Sequence, residues 1–210
     1  MKITVTLILV SCLFSLAAWS LDPVFIQECL IYSLKNILEG KAWTVFTAVF
    51  VHSNPIHLLG NMLFLFVFGE TLEKELGGRR MVGSFLLGGA LAFLASTPFY
   101  GQEVGMLGAS AGIFTLAAVA MLVKPLRFSW LFLSPVGVVA FLYFLYNVML
   151  VYRGVHDSVS YIGHVLGFTV GVPLGIAWSR RWGFNLLVTV FLLALYFMIL
   201  KIFLGVELFG

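Results

Sequence analysis

Charge is scarce in this chain. Only 10% of its 210 residues are charged, while 61% are hydrophobic and the mean hydropathy is +1.08. A soluble domain carries about 25% charged residues, so that class is excluded. Cysteine is nearly missing as well: Cys12 and Cys29 alone cannot build a disulfide framework. Aspartate is confined to Asp22 and Asp157, both between apolar runs, which rules out an intramembrane aspartate pair. No His-Glu-x-x-His run occurs, so the zinc-protease pattern is missing. His52, His57 and His164 have no cysteine or carboxylate at ligand spacing beside them, and neither a metal nor any other cofactor is expected. The basic residues are scattered over short connectors without forming a patch, which argues against nucleic acid as a partner.

What the chain does have is long apolar runs. A membrane-spanning helix needs roughly 20 such residues, and seven stretches qualify: Ile3–Leu21, Ile56–Leu72, Val82–Tyr100, Leu107–Val123, Ser129–Leu150, Val159–Trp178 and Phe184–Gly205. The expectation is an all-α polytopic bundle in a lipid bilayer. The longest connector, about Asp22 to Pro55, leaves no room for a soluble domain. An N-terminus inside puts Lys2, Lys74, Arg79, Arg80, Lys124, Arg127, Arg180 and Arg181 on the cytoplasmic side, against Lys35, Lys41, Arg153 and Lys201 outside. The positive-inside rule therefore favours N-in and C-out, and the net charge of +3 is a topology signal. Lys2, the first apolar run and Ala17-Ala18 also fit a secretory signal peptide, but the run is long for one. With no transit peptide or cytosolic domain, a prokaryotic cell membrane is expected.

Polar residues inside these runs carry the chemistry. Gly108-Ala109-Ser110-Ala111-Gly112 sets a serine between glycines near the start of the fourth run. It matches the G-x-S-x-G pattern of serine hydrolases, but no strand-to-helix elbow is available, and a packing serine in a G-x-x-x-G helix is the plainer reading of the motif alone. His57 and Asn61 lie one turn apart on one face of the second run. An interhelical packing role also accounts for them. His164 in the sixth run is the more telling residue, because polar groups in lipid are costly and tend to be functional. With N-in topology the second, fourth and sixth helices run the same way, placing His57, Ser110 and His164 at a common depth of roughly 5–8 Å from the helix starts. Gly163, Gly167, Gly171 and Gly175 form a ridge that is expected to meet the small residues Gly105, Gly108, Ala109, Ala111 and Gly112. These residues suggest a nucleophile, a base and oxyanion donors held in a helix bundle.

The chain resembles the rhomboid family of intramembrane serine proteases. The matching residues are His52, His57-Leu-Leu-Gly-Asn61, Gly69, Glu73-Lys-Glu-Leu-Gly77, Gly108-Ala109-Ser110 and Gly163-His164-Val-Leu-Gly167 with Gly171, in the family's order from about residue 40 to 178. The resemblance implies a six-helix core over 1–178, with a first outer loop over about 22–55, followed by an inner loop and an additional C-terminal transmembrane helix over 179–210. It implies Ser110 as nucleophile and His164 as general base, with no carboxylate. The oxyanion would be held by the Ser110 backbone N–H and the side chains of His57 and Asn61. His52 would organise the loop before the second helix, and Glu73 would tie the inner loop to the bundle. Phe114, where other members place tyrosine, would stack on His164, with Gly108, Gly163 and Gly167 in support. The implied substrates are single-pass transmembrane proteins cut near the outer face. The family's Trp-Arg pair appears here as Trp43-Thr44, and Ala111 stands where many members have glycine. A rhomboid-fold protein that binds membrane clients without cutting them is the alternative. A small-solute transporter lacks the inverted repeat and broken-helix signals it would need.

Overall fold

A computed structural model describes residues 2–155 and 159–204. Helix α1 (Lys2–Ala18) leads into a connector that is itself folded, through α2 (Pro23–Cys29), α3 (Leu34–Leu38), α4 (Thr44–Thr47) and a 3₁₀ turn over Ala48–Phe50. Then come α5 (Pro55–Leu76), α6 (Gly78–Tyr100), α7 (Ser110–Val123), α8 (Val136–Tyr152), α9 (Tyr161–Trp178) and α10 (Trp182–Leu204). Local chemistry sets several of these boundaries. The side chains of Asp22, Ser33 and Asn54 accept N–H bonds from the first turns of α2, α3 and α5, and Pro23 and Pro55 open two of those helices. Gly77, at φ +84°, makes the one-residue joint between α5 and α6.

Among the described residues, α5, α6, α9 and α10 are long and apolar enough to cross a bilayer, while α1, α7 and α8 are apolar but shorter. Two expected spans are thus corrected. The fourth was expected from Leu107, but the helix begins only at Ser110, because Gly108 takes φ +107° and its N–H bonds to the Ala48 carbonyl. The fifth was expected from Ser129, but residues up to Pro135 fold back as a small hairpin, with Phe128–Ser129 pairing antiparallel to Ser134–Pro135.

Helix α7 is the centre of the molecule, buried on every side from Ala111 to Leu122 and touching α5, α6, α8, α9 and α10. In lipid apolarity alone does not bury a helix; the small residues Ala111, Gly112, Ala117, Ala118 and Ala120 let its neighbours approach closely on several sides. Its 14 residues give a length of about 21 Å, well short of the roughly 30 Å of hydrocarbon around it. Met106, Gly108 and Ala109 just ahead of it are buried too, and non-helical backbone at that depth must be paired by protein. Here Tyr32 and Met106 exchange backbone bonds, and Gly108 N–H donates to the Ala48 carbonyl. At the other end of α7, Asn185 of α10 donates to the carbonyls of Leu122 (2.7 Å) and Val123 (3.3 Å). Asn185→Ala is expected to cost about 1–3 kcal/mol by orphaning those carbonyls. Thermal unfolding in detergent measures this, and Asn185→Asp should not rescue, since a carboxylate has nothing to donate.

Candidate active site

Three helix starts converge at one end of the bundle. Ser110 is the first residue of α7, His57 the third of α5 and His164 the fourth of α9. Ser110 is therefore not set into its helix by several residues, as the sequence count had it. Its depth comes instead from the shortness of α7.

Helices α7 and α9 run parallel and nearly backbone to backbone. A Cβ on Gly167 would collide with the Ala111 carbonyl, one on Gly171 with the Thr115 carbonyl, and one on Gly175 with Leu122. Thr115 Oγ1 donates to the Gly167 carbonyl at 2.7 Å, fixing the register. The Phe114 ring stacks on His164 at 4.6 Å between centroids and 11° between planes. Ser110 precedes Phe114 by one turn on the same face of α7, so the serine stands one turn before the Phe114–His164 stack.

The glycine ridge meets α7 through Ala111, as expected, but otherwise through Thr115, Ala118 and Leu122 rather than the other small residues expected. Gly112 faces α6, where a Cβ would meet the Phe85 carbonyl at 2.5 Å. Gly163 faces Ser160 and Ser96, and Gly105 lies against Gln27 and Ile31 of the first connector. The reason is geometric: Ala111 and Gly112, adjacent on α7, point to different neighbours, while Gly105, Gly108 and Ala109 precede the helix.

Gly108 adjoins the other two polar groups. A Cβ there would sit 2.9–3.0 Å from Cε1 and Nε2 of His57 and 3.7 Å from Nδ2 of Asn61. The Asn61 amide nitrogen is buried and has no hydrogen-bond partner among the described residues. A buried unpaired donor costs roughly 1–3 kcal/mol. His57 Nδ1 lies 3.0 Å from Ser53 Oγ. If that hydroxyl donates, Nε2 carries the proton and faces Gly108 as a second donor. The first-turn N–H groups of α7 have no acceptor within their own helix and form the positive end of its dipole. The donors of His57 and Asn61 thus lie beside Gly108, just ahead of the N-terminus of α7.

His52 organises this region. Its Nε2 accepts from Ala109 N–H at 3.3 Å, so Nδ1 carries the proton and faces Ser15 Oγ at 3.0 Å, which in turn donates to the Phe50 carbonyl at 3.1 Å. The Trp19 indole donates to the His52 carbonyl. Burial, followed by the neighbouring His57, pushes the His52 pKa down from 6.5 to about 4. The unfolded chain takes up a proton near pH 6.5 and the folded one does not, so His52 contributes stability above that pH. This stability is lost as the pH falls from 6.5 towards 4, by roughly 3 kcal/mol in all. Unfolding midpoints measured across that range should drop for the native chain and fall less steeply for His52→Gln.

Glu73 corrects an expectation. Its carboxylate accepts from the backbone N–H groups of Ile3 and Thr4 and from Thr4 Oγ1, which caps the first turn of α1. The ties to the loop after α7 run through neighbours instead: Arg127 pairs with Glu70 at 3.0 Å and Lys124 with Glu75 at 3.3 Å. Capping explains the difference, because the orphan donors of a helix N-terminus in lipid need a charged acceptor more than a surface lysine does. Asp157, the acidic residue nearest His164 in sequence, lies outside the described residues. The polar partner of His164 is Asn147 of α8, whose Oδ1 is 2.7 Å from Nδ1. Asn147, Ser53 and Ser15 were all passed over in the sequence. For Asn147 the signal was present, since an amide inside an apolar run is expensive in lipid.

A family model described as the rhomboid domain matches residues 39–181. The chain belongs to the rhomboid family. It is an integral, multi-pass, all-α membrane protein of that fold, in a family whose characterised members are serine proteases. Among curated proteins it is 32% identical over 164 residues to Rhomboid-like protein 11, chloroplastic, of Arabidopsis thaliana, an alignment covering 71% of this chain and 58% of that one. RHOMBOID-like protein 1 of the same plant is 30% identical over 68% of this chain and 36% of its own length. Rhomboid protease GlpG of Salmonella choleraesuis (strain SC-B67) is 31% identical over 45% of this chain and 31% of its own. The chain thus spans between about a third and three fifths of these relatives. They include plant and bacterial proteins, one of them chloroplastic, and so give no support to the expectation of a prokaryotic cell membrane for this rhomboid.

Proposed function

We propose that this rhomboid is an intramembrane serine endopeptidase. The observation that carries the reading is the unpaired amide of Asn61, beside His57 and the N-terminus of α7. A protein that gives a buried donor no partner of its own at such a place leaves it for an arriving acceptor, and a developing oxyanion is one. Ser110 Oγ attacks the scissile carbonyl while its proton passes to His164 Nε2. The negative charge on the carbonyl oxygen is held by Ser110 N–H, His57 and Asn61. His164 then returns the proton to the leaving amine, giving an acyl-enzyme. Water, deprotonated by His164, attacks the acyl carbon and restores Ser110.

The substrates are single-pass transmembrane proteins. A substrate helix must unwind to expose its peptide bond, and unsatisfied backbone in hydrocarbon is costly, so segments weakened by Gly or Pro are preferred. The charge distribution supports an N-terminus inside and a site near the outer face. The protease core spans 1–178, with 179–210 as an addition to it. A serine-reactive phosphonate applied to the purified protein in liposomes tests the reading. Covalent labelling of Ser110, lost in His164→Ala, is the expected result. A Ser110 that stays unlabelled would shift the assignment to a client-binding protein without hydrolysis.

A further inference from the structure

The buried amide of Asn147 on α8 lies against His164, and the reaction as written does not use it. It is 1% exposed, midway along an otherwise apolar helix. Its Nδ2 donates to the Tyr143 carbonyl one turn back at 2.8 Å, which fixes the orientation of the amide. Oδ1 therefore points outward from α8 and meets His164 Nδ1 at 2.7 Å. An amide oxygen can only accept, so the proton of a neutral His164 must sit on Nδ1. Nε2 is left with its lone pair. The opposite ring face of freedom is closed as well, because Phe114 stacks flat on the imidazole and is itself stacked on Tyr143 of α8.

We propose that Asn147 is the positioning residue of the dyad, holding His164 in the tautomer that can accept a proton from Ser110. The inference rests on the serine protease reading above. When His164 takes the Ser110 proton on Nε2, the Nδ1 proton stays where it is, shared with Oδ1, and nothing is transferred to Asn147. The amide dipole stabilises the imidazolium as a carboxylate would in a triad, but without placing a second charge in the bilayer, where a charge is costlier than a neutral dipole. The base is correctly set only while α8 is seated against α9.

The experiment measures kcat and KM for a model transmembrane substrate in proteoliposomes. Asn147→Leu and Asn147→Ala remove the acceptor, the first at similar volume. Asn147→Asp keeps an acceptor oxygen and loses the donor to Tyr143. Both apolar variants are expected to lose about 10–100-fold in kcat with KM unchanged within about twofold, and Asn147→Asp to recover most of the loss. A merely structural role for the amide predicts the opposite order, because it would depend on the Tyr143 bond that Asp cannot make. Wild-type kcat in either apolar variant, in a preparation where Ser110→Ala is inactive, would overturn the inference and leave the dyad standing. So would an Asn147→Asp as slow as Asn147→Leu at an unchanged unfolding midpoint. Should Ser110→Ala cleave like the wild type, the dyad itself has failed and the inference falls with it.

Discussion

Ser110→Ala is expected to lower cleavage of a transmembrane substrate by at least about 10⁴-fold, and His164→Ala by about 10²–10⁴-fold. The difference follows from their roles. Without the hydroxyl there is no acyl-enzyme and no second route to one within a dry bundle. Without the imidazole the hydroxyl still faces the carbonyl, but its proton has no acceptor. The two changes act on one step, so the double variant should be no slower than Ser110→Ala alone. Folding should be little affected, because Ser110 is the first residue of α7 and the α7–α9 contact is carried by Gly167, Gly171 and Thr115. Purified protein in proteoliposomes, compared with both variants, gives the measurement. Equal cleavage by all three would trace the activity to a contaminant and sink the assignment.

The second large effect is structural. Gly167→Val is expected to destabilise the protein by about 3–5 kcal/mol and to remove activity even where the chain still folds. The new side chain would meet the Ala111 carbonyl, with the carbonyl carbon and Cα of the same residue 3.0–3.1 Å away. That obstacle is backbone, which cannot rotate aside as a long side chain would. The helices must part, stretching the 2.7 Å bond from Thr115 Oγ1 to the Gly167 carbonyl and lifting His164 off Phe114. Displacement of a catalytic group by about 1 Å already costs on the order of 100-fold. Gly83 on α6 provides the control. A Cβ there meets nothing within 4 Å, so Gly83→Ala should leave both the unfolding midpoint and cleavage unchanged.

Hydropathy made the apolar segments legible because lipid demands them, but it says nothing about where a helix stops when the next residues are buried irregular chain. Leu107–Ala109 is as apolar as the helix it precedes, and only its bonds to other parts of the chain, Gly108 to Ala48 and Ala109 to His52, hold it in another conformation. The first connector was more readable than the span count suggested: Asp22-Pro23 is a helix-start signal, and α2 begins there. In the site, the order and spacing of His57, Asn61, Ser110 and His164 set them on three helices that start at the same end. Contacts between elements distant in sequence could not be read in advance. The spacing of four along α9 predicts a face but not its partner, which is why Gly112 of α7 was expected against α9 and faces α6. Glu73 has the same history, since nothing local distinguishes a carboxylate that caps α1 from one that binds a loop.

The way α1 is held bears on how the protein is made. Its first turn is capped by Glu73, at the far end of α5, and the Ser15 hydroxyl in its last turn meets His52, just ahead of α5. During synthesis α1 enters the bilayer ahead of α5, with Ser11 and Ser15 on the face it will later bury. Glu73 follows the end of α1 by about 55 residues, which at 5–20 residues per second is several seconds. The pair α1 and α5 can therefore lock before the segments carrying Ser110 and His164 exist, and the later helices assemble against a pair already joined at both ends.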